Sequence, residues 1–270
     1  MIDEPSHPRV RAARRLHSAS GRHKAGRFLA EGVQAVREAL SAPGVVLEVF
    51  ATPDWVASGA LPMGDARVHV TSDPVLATLA QTTTPQGVVA VCRDVTIELG
   101  DLLARRPRLL VVLAEVRDPG NAGTIVRTAD AAGADGVITT TATVDLRGGK
   151  AVRSSVGSLF HLPLVVGQPP TVPDDLRAAG LTVLAADGSG ALDLYEAGEQ
   201  GLLTGPTAWV VGNEAHGVAA GYLARVDAAV RVPMYGRAES LNVSVAAALC
   251  LFASAAAHRA APSEDEGMQP

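Results

Sequence analysis

The chain has 270 residues, 47% of them hydrophobic, and a formal net charge of −5. This length suits one large domain or two ordinary ones, and the acidic balance argues against a protein that binds nucleic acid over its whole surface. A local basic patch nevertheless occupies residues 1–27, formed by Arg9, Arg11, Arg14, Arg15, Arg22, Lys24 and Arg27. Taken alone, such a charge run is typical of a solvated, partly disordered arm.

The cysteine pattern and the beginning of the chain predict a cytoplasmic protein. Cys92 and Cys250 lie far apart in apolar runs, which is typical of buried, reduced thiols. Neither has a partner at metal-ligand spacing, so we expect no metal site. Residues 1–27 are too polar for a signal peptide, and we expect no apolar run long enough to span a membrane.

Apolar runs alternate with helical spacing through the first half of the chain. We expect strands at 27–31, 45–51, 67–70 and 88–92 and helices at 32–40 and 73–80. This alternation predicts a small α/β domain over residues 1–95. The charged residues 96–107, which end in Arg105-Arg106-Pro107, are predicted to be a linker.

The second half begins with a continuous apolar run at 109–113, which is typical of a buried parallel strand. Further strands are expected at 136–139, 181–185, 207–212 and 228–233, with helices at 121–133 and 241–259 and shorter ones between. A mainly parallel sheet is therefore predicted for a domain at 108–260. Residues 261–270, with Glu264, Asp265 and Glu266, should form a disordered acidic tail.

The helix at 241–259 is apolar nearly all the way round, so one face against its own sheet cannot bury it. A second apolar neighbour is needed, and the symmetric solution is a homodimer joined through this domain. Burial between two layers of the same subunit is the alternative.

Three polar stretches, at 118–129, 211–217 and 232–246, each begin where an apolar strand ends. They are rich in Gly, Asn, Ser, Pro and charged residues. In open α/β sheets, ligands bind outside the carboxyl ends of the strands. The three stretches are therefore predicted to meet at one pocket.

In the first stretch, Asn121 is a candidate N-cap, and Gly120 and Gly123 permit a tight turn near a ligand. Arg127 follows within two helical turns. The glycines do not form the G-x-G-x-x-G pattern with its later acidic residue, which disfavours a dinucleotide-binding oxidoreductase.

In the second stretch, Glu214 is the one carboxylate, and capping of nearby amides explains it about as well as catalysis does. In the third, Ser240 can cap the following helix and Asn242 lies in its first turn. Capping does not explain the whole string Ser-Leu-Asn-Val-Ser-Val-Ala at 240–246.

Together, in order, the three stretches resemble the signature motifs of the SpoU/TrmH family of RNA ribose methyltransferases, within the SPOUT superfamily. The resemblance implies methyl transfer from S-adenosylmethionine to a ribose 2′-hydroxyl, an α/β C-terminal domain with a trefoil knot, and a homodimer. The catalytic residues that it implies are Asn121, Arg127, Glu214, Ser240 and Asn242. The cofactor-binding residues that it implies are Gly212, Val232, Met234, Ser240 and Leu241.

Two further resemblances concern the N-terminal half and a fourth stretch. Arg27-Phe-Leu-Ala-Glu-Gly32 and Thr84-Pro-Gln-Gly87 resemble the α/β RNA substrate-binding domain of family members. That domain type implies 23S ribosomal RNA as the substrate, with transfer RNA or a non-catalytic ribosome-associated role as alternatives. The stretch at 153–158, with His161 and Pro163, also resembles the family and is interpreted as structural.

The chemistry restricts what these residues can do. A guanidinium gives up its proton far less readily than any other protein cation, so Arg127 is better suited to anchoring phosphate and stabilising a developing alkoxide than to acting as a base. A base-modifying methyltransferase with a cysteine nucleophile is disfavoured, because Cys92 and Cys250 lie outside the three stretches. The residues do not identify the general base or the methylated nucleotide.

Overall fold

The computed structural model describes residues 1–60, 64–213 and 216–260. They form two compact units. The first comprises Met1–Val95, Asp118–Arg127 and Val144–His161, and the second comprises Thr96–Arg117, Thr128–Thr143 and the described residues from 162 onward. The predicted domain limits, 1–95 and 108–260, stay a prediction, because a compact unit need not be a domain that folds alone. The predicted tail at 261–270 lies outside the described residues.

Helices and strands alternate along the chain. The helices are α1 (Pro8–Arg14), α2 (Ala19–Ala25), α3 (Val33–Ser41), α4 (Pro53–Ala57), α5 (Asp73–Leu79), α6 (Leu99–Leu103), α7 (Pro119–Ala132), α8 (Gly149–Ser154), α9 (Val172–Ala178), α10 (Leu194–Glu199), α11 (Ala220–Leu223) and α12 (Val243–Ala260). The strands are β1 (Arg27–Glu31), β2 (Val46–Ala51), β3 (Arg67–Val70), β4 (Val88–Arg93), β5 (Leu109–Leu113), β6 (Gly136–Thr140), β7 (Leu164–Gln168), β8 (Thr182–Ala186), β9 (Leu192–Asp193), β10 (Thr207–Val211) and β11 (Ala228–Arg231). Short 3-10 turns lie at Arg15–His17 and Ser158–Phe160.

The first unit contains a sheet with the strand order β1-β4-β2-β3. Strand β4 is antiparallel to both of its neighbours, whereas β2 and β3 are parallel. One face of the sheet is covered by a core of Val10, Ala13, Leu16, Leu29, Phe50, Val75, Leu76, Leu79, Val89 and Val91. The α/β character predicted for this half of the chain is confirmed.

Residues 1–27 are folded, so the expectation of a partly disordered arm is wrong. Val10, Ala13 and Leu16 recur at helical spacing between the arginines and are buried in the core of this unit. Ser18 caps α2 by accepting a hydrogen bond from the Gly21 amide at 3.0 Å. Arg22 is only 6% exposed, because it pairs with Asp145 at 2.9 Å.

The second unit is built on a seven-stranded sheet with the order β7-β6-β5-β10-β8-β11-β9. All of its neighbouring strands are parallel, so the predicted parallel sheet is confirmed. The residues of β5, β6 and β10 are buried throughout, as expected for strands covered on both faces. Strands β7 and β9 extend the sheet beyond the predicted elements.

Residues 96–107 are not a simple linker. They contain α6, and Leu102 on this helix is fully buried with Leu110, Val112 and Ile138 in the core of the second unit. Of the charged residues that suggested a linker, Asp101 lies within this helix, and Glu98, Arg105 and Arg106 flank it.

Helix α12 packs against the central strand β10 of the same unit. Its 18 residues have a mean hydropathy of 1.5, so by length and composition it could cross a membrane, and the expectation that no run is long enough is wrong. About a third of the helix is buried in the unit, and the core helix of a soluble protein meets the same criterion. Val245, Leu249 and Phe252 are exposed by 47%, 40% and 49%.

Candidate cofactor-binding site and active-site residues

A cavity of about 430 Å³ lies at the carboxyl ends of β8, β10 and β11, all within the second unit. Its walls are Ala186, Asp187, Gly188, Gly212, Asn213, Gly217, Val230, Arg231, Val232, Met234, Glu239, Ser240, Leu241, Val243 and Ala246. The second and third polar stretches therefore meet at one pocket, at the place where parallel α/β sheets bind ligands. A volume of this size falls within the range of about 300–1,000 Å³ that is typical of small-molecule sites.

All five predicted cofactor-binding residues, Gly212, Val232, Met234, Ser240 and Leu241, line this cavity. Their contribution to cofactor binding stays a prediction, but the structure brings them together from two separate stretches. Met234, Ser240 and Leu241 are exposed residues of the loop between β11 and α12, so they are accessible to a ligand in this chain.

Gly212 is required by the close packing of the turn after β10. A Cβ at this position would lie 2.1 Å from the carbonyl oxygen of Gly217, which no side chain allows. Asn213 and Gly217 close the turn by exchanging backbone hydrogen bonds of 2.9 Å, and Gly217 has a φ of +68°. The backbone, rather than a side chain, therefore forms this wall of the cavity. Glu214 lies outside the described residues, and its role stays a prediction.

Asp187 is a cavity residue that the sequence reasoning missed. Its Oδ1 accepts hydrogen bonds from the Ser189 amide and hydroxyl, at 2.9 and 2.6 Å, and its Oδ2 accepts one from the Val218 amide at 3.0 Å. Burial raises the pKa of Asp187, but the bonds from Ser189 and Val218 outweigh burial and hold the pKa below its usual range. This carboxylate ties the turn after β8 to the turn after β10. Its position directly after an apolar strand is the signal that could have found it.

In the third stretch, Asn242 rather than Ser240 caps helix α12. Helix α12 begins at Val243, and Asn242 Oδ1 accepts hydrogen bonds from the Ser244 amide at 2.9 Å and the Ser244 hydroxyl at 2.6 Å. The predicted cap at Ser240 is therefore wrong, because the helix begins later than expected. Ser240 lies in an exposed loop on the cavity wall, and capping does not account for it.

The first stretch folds as the beginning of α7, in the first unit. Asp118, not Asn121, caps this helix, since Asp118 Oδ1 accepts a hydrogen bond from the Asn121 amide at 2.8 Å. Lys150 lies 2.9 Å from the same carboxylate and, through its hydrogen bond, is the largest cause of the lowered pKa of Asp118. The N-cap expected at Asn121 is thus wrong by three residues. Asn121 is half-buried in the first turn of α7, and Arg127 is an exposed residue of the same helix.

Residues 108–252 match the SpoU rRNA Methylase family, and residues 7–90 match the MRM3-like substrate binding domain. The chain belongs to the SpoU rRNA methylase family. It is similar to the 23S rRNA (guanosine(2553)-2′-O)-methyltransferase RlmP of Bacillus subtilis (strain 168), with 36% identity over 251 residues that cover 93% of this chain and 97% of that protein.

Two solved structures resemble the fold over nearly its whole length. The SpoU methyltransferase AviRb from Streptomyces viridochromogenes, in complex with the cofactor AdoMet, has a TM-score of 0.82 and 29% identity and covers 95% of this chain and 100% of that one. The AdoMet-bound rRNA methyltransferase from Sinorhizobium meliloti has a TM-score of 0.79 and 30% identity. The match covers 94% of this chain and 96% of that one. The predictions of the family, of an RNA 2′-O-methyltransferase and of S-adenosylmethionine as the methyl donor are confirmed.

Neither cysteine of this SpoU methylase is suited to nucleophilic catalysis. Both thiols are buried, and burial raises the pKa of Cys92 and of Cys250 to about 12. Within the described ranges, no group of three or more His, Cys, Asp or Glu side chains is arranged to hold a metal ion. The cavity combines backbone groups and apolar side chains with a few polar ones, namely Asp187, Asn213, Arg231, Glu239 and Ser240, and this combination suits an organic cofactor.

Proposed function

We propose that this SpoU methylase methylates a ribose 2′-hydroxyl of 23S ribosomal RNA. The observation that carries the proposal is the cavity of about 430 Å³ in which the second and third signature stretches meet. The substrate is inferred from the RlmP relative, whose name specifies 23S rRNA, and from the match to a substrate binding domain at residues 7–90.

S-adenosylmethionine is proposed to occupy this cavity. The backbone at Gly212 would form one wall, while Val232, Met234 and Leu241 would pack against the apolar parts of the cofactor and Ser240 would offer a hydroxyl. A trefoil knot in the loops around this cavity is part of the proposal, by resemblance to the family. When bound, the cofactor supplies an electrophilic methyl group, so the protein has to place the 2′-oxygen in line with it and accommodate the displaced proton.

Arg127 is proposed to hold a phosphate of the RNA and to stabilise the alkoxide that develops on the ribose. A guanidinium is a planar hydrogen-bond donor with no acceptor atom, so it can donate to an oxygen throughout the reaction but is a poor proton acceptor. Asn121, in the first turn of the same helix, would position the ribose or that arginine. Glu214, Ser240 and Asn242 complete the proposed catalytic set.

The first unit is proposed to hold the RNA through cations of its two N-terminal helices. Arg11, Arg14, Arg15 and Lys24 are exposed, and within the described part of the chain none of them forms an ion pair. Arg9 and Arg22 differ, because they are paired with Glu48 and Asp145. The four unpaired cations are the ones suited to phosphates, and phosphate contacts fix position rather than sequence.

A homodimer is proposed to form through α12. Val245, Leu249 and Phe252 follow one another at spacings of four and three residues, so they form one apolar stripe on the exposed side of the helix. Such a stripe is typical of an interface, and most soluble homo-oligomers are symmetric dimers. We also propose a cytoplasmic location, where ribosomal RNA is accessible.

The proposal is tested by mapping ribose methylation in ribosomal and transfer RNA from cells with and without the gene. A single 2′-O-methyl group that disappears from 23S rRNA when the gene is removed supports it. A lost methyl group in transfer RNA identifies the alternative substrate. Binding of S-adenosylmethionine by calorimetry without any lost methylation would indicate a wrong substrate, and absence of cofactor binding would refute the enzyme.

A further inference from the structure

Three sequence stretches that the methyl-transfer proposal does not use meet at a second cavity, of about 230 Å³, inside the first unit. They are the end of β1 with the first turn of α3, the loop before β4, and the segment around the end of α8. Among the residues that line the cavity are Glu31, Thr84, Gln86, Arg153 and Val156. The convergence of three separate stretches on one cavity suggests that the cavity has a function of its own.

Glu31 holds Arg153 in a fixed position at this cavity. The Glu31 carboxylate is 6% exposed and accepts hydrogen bonds from the amides of Gln81 and Thr82, at 2.9 and 3.1 Å, and from the Thr82 hydroxyl. It also accepts one from Arg153 Nη1 at 2.7 Å. The buried charge is thereby satisfied, and the pair is formally neutral. Among the described residues, the Arg153 side chain donates a hydrogen bond to one acceptor, Glu31. Its guanidinium has five N–H donors in all.

Gln86 and Thr84 add further hydrogen-bond donors to the cavity wall. Gln86 Oε1 accepts a hydrogen bond from the Val33 amide at 2.9 Å, so the Gln86 amino group is left to donate elsewhere. Gly32 makes this approach possible, because a Cβ there would lie 2.9 Å from the same oxygen, and its φ is +94°. The Thr84 hydroxyl is exposed. The polar side of the cavity is therefore rich in donors, while its one carboxylate is already occupied.

Val156 also lines this cavity and is held in a strained conformation. Its φ is +52°, which is a genuine outlier for a β-branched residue. Val156 is 39% exposed and lines the cavity together with Ala35. The next residue, Gly157, has no room for a side chain, since a Cβ would lie 2.2 Å from Glu38 Cγ. Strained residues that the surrounding structure fixes in place concentrate at binding and active sites.

We propose that this cavity binds one unstacked base of the RNA substrate, and that the base carries keto oxygens, as uracil and guanine do. The apolar side chains of Val156 and Ala35 suit the face of a flat ring, and the donors of Arg153, Gln86 and Thr84 suit oxygen acceptors on its edge. Single-stranded RNA is recognised in this way, by packing on the ring and hydrogen bonds to the edge. This inference rests on the proposed function, and it adds a base-reading contact to the phosphate contacts of the basic helices.

The first test fills the cavity. Thr84→Phe places an aromatic ring at an exposed position of the wall and replaces neither partner of the Glu31–Arg153 ion pair. Ser41→Phe is the matched control, because it adds the same ring at the exposed far end of α3. We expect Thr84→Phe to weaken binding of 23S rRNA transcribed in vitro by about tenfold, as loss of one base contact does, while S-adenosylmethionine affinity is unchanged. Equal RNA affinity for Thr84→Phe, Ser41→Phe and the unmodified protein would overturn the proposal.

A direct test uses transcripts of 23S rRNA in which 4-thiouridine or 6-thioguanosine replaces the natural nucleotide. After irradiation of the full-length protein with the RNA, we expect crosslinked peptides to contain residues 82–86 or 153–156. Crosslinks confined to residues 8–25, or loss of RNA affinity in Thr84→Phe without any crosslink at the cavity, would contradict it. The proposed function is tested separately by measuring methyl transfer. If the protein methylates 23S rRNA and these crosslinks are absent, only the proposal of a base-binding cavity is wrong.

Discussion

Trp209 in β10 donates its indole N–H to the hydroxyl of Ser254 in α12, at a distance of 2.9 Å, and both residues are fully buried. This bond joins the central strand of the parallel sheet to the inner face of the C-terminal helix. The beginning of the same helix follows the loop that forms part of the proposed cofactor cavity. The Trp209–Ser254 bond therefore fixes an element on which both the proposed cofactor site and the proposed dimer interface depend.

Ser254→Ala should lower the free energy of unfolding by about 1–3 kcal/mol, because it leaves the buried indole N–H without an acceptor. Trp209→Phe should cost more, since it also removes ring volume from the core. In the double variant, the loss should be smaller than the sum of the two single losses, because neither partner is then left unsatisfied. Denaturant unfolding of the four proteins measures this, and strictly additive losses would show that the bond contributes no stability.

Much of the fold was predictable because the strands carry local signals. The apolar runs at β5 and β10 predicted the buried parallel strands, and the polar stretches that follow β10 and β11 predicted the residues that meet at the cavity of about 430 Å³. The folding of residues 8–17 could not be predicted, because Val10, Ala13 and Leu16 are the only large or buried apolar residues among several arginines there. The burial that they gain depends on partners such as Phe50 and Leu76, which no local pattern reveals.

The second cavity was not predictable, for a related reason. Its central ion pair joins Glu31 to Arg153, which are separated by 122 positions in the chain. The sequence indicated each stretch separately, and Arg153 was interpreted as structural. Similarly, Asp118 caps α7 and Asn242 caps α12 because the helices begin at Pro119 and Val243, and sequence patterns place helix ends only to within a few residues.

Arg127→Ala should reduce kcat/KM for RNA methylation by at least about a hundredfold, since a donor to the developing charge is lost. Cofactor affinity should be unchanged, because Arg127 does not line the proposed cofactor cavity. Arg127→Lys should also fail, as a compact ammonium cannot replace a planar, two-pronged donor. The measurements are methyl-transfer kinetics and calorimetry, with the exposed Arg105→Ala as the control. Turnover by Arg127→Ala at the rate of Arg105→Ala would show that the assignment is wrong.

Replacing Arg14, Arg15 and Lys24 by Ala should weaken RNA binding and make it less dependent on salt. Each phosphate contact that is lost should lower the slope of log affinity against log salt by about 0.7–0.9. Arg67→Ala, on the edge strand β3, removes an exposed cation elsewhere in the same unit and serves as the control. An unchanged slope in the triple variant would exclude these helices from the RNA interface. Point variants are preferable to deletion of residues 1–100, which would also remove Ile97 and Leu99 from their packing against the core of the second unit.

Asp187 should make the free energy of unfolding depend on pH in the acidic range. Because its pKa in the folded state is lowered, its contribution is present above the unfolded-state value of about 3.9 and is lost as the pH falls through the lower folded-state pKa. Asp187→Asn should therefore reduce the free energy of unfolding at pH 6 and reduce it less at pH 3. Urea unfolding at both pH values measures the difference. A loss of the same size at both pH values would show that the charge of Asp187 is not what stabilises the turns.

Phe252→Asp should convert the proposed dimer into a monomer. The ring of Phe252 is 49% exposed in the isolated chain and lies on the stripe with Val245 and Leu249, so an unpaired carboxylate there would be buried at the interface. Tyr195→Asp is the matched control, because Tyr195 is a 58% exposed aromatic residue on α10, outside the stripe. Sedimentation equilibrium at micromolar concentration should give twice the mass of the 27.7 kDa chain for the unmodified protein and for Tyr195→Asp, and the single mass for Phe252→Asp. A monomeric unmodified protein that retains methyl-transfer activity would show that α12 does not form an obligate dimer.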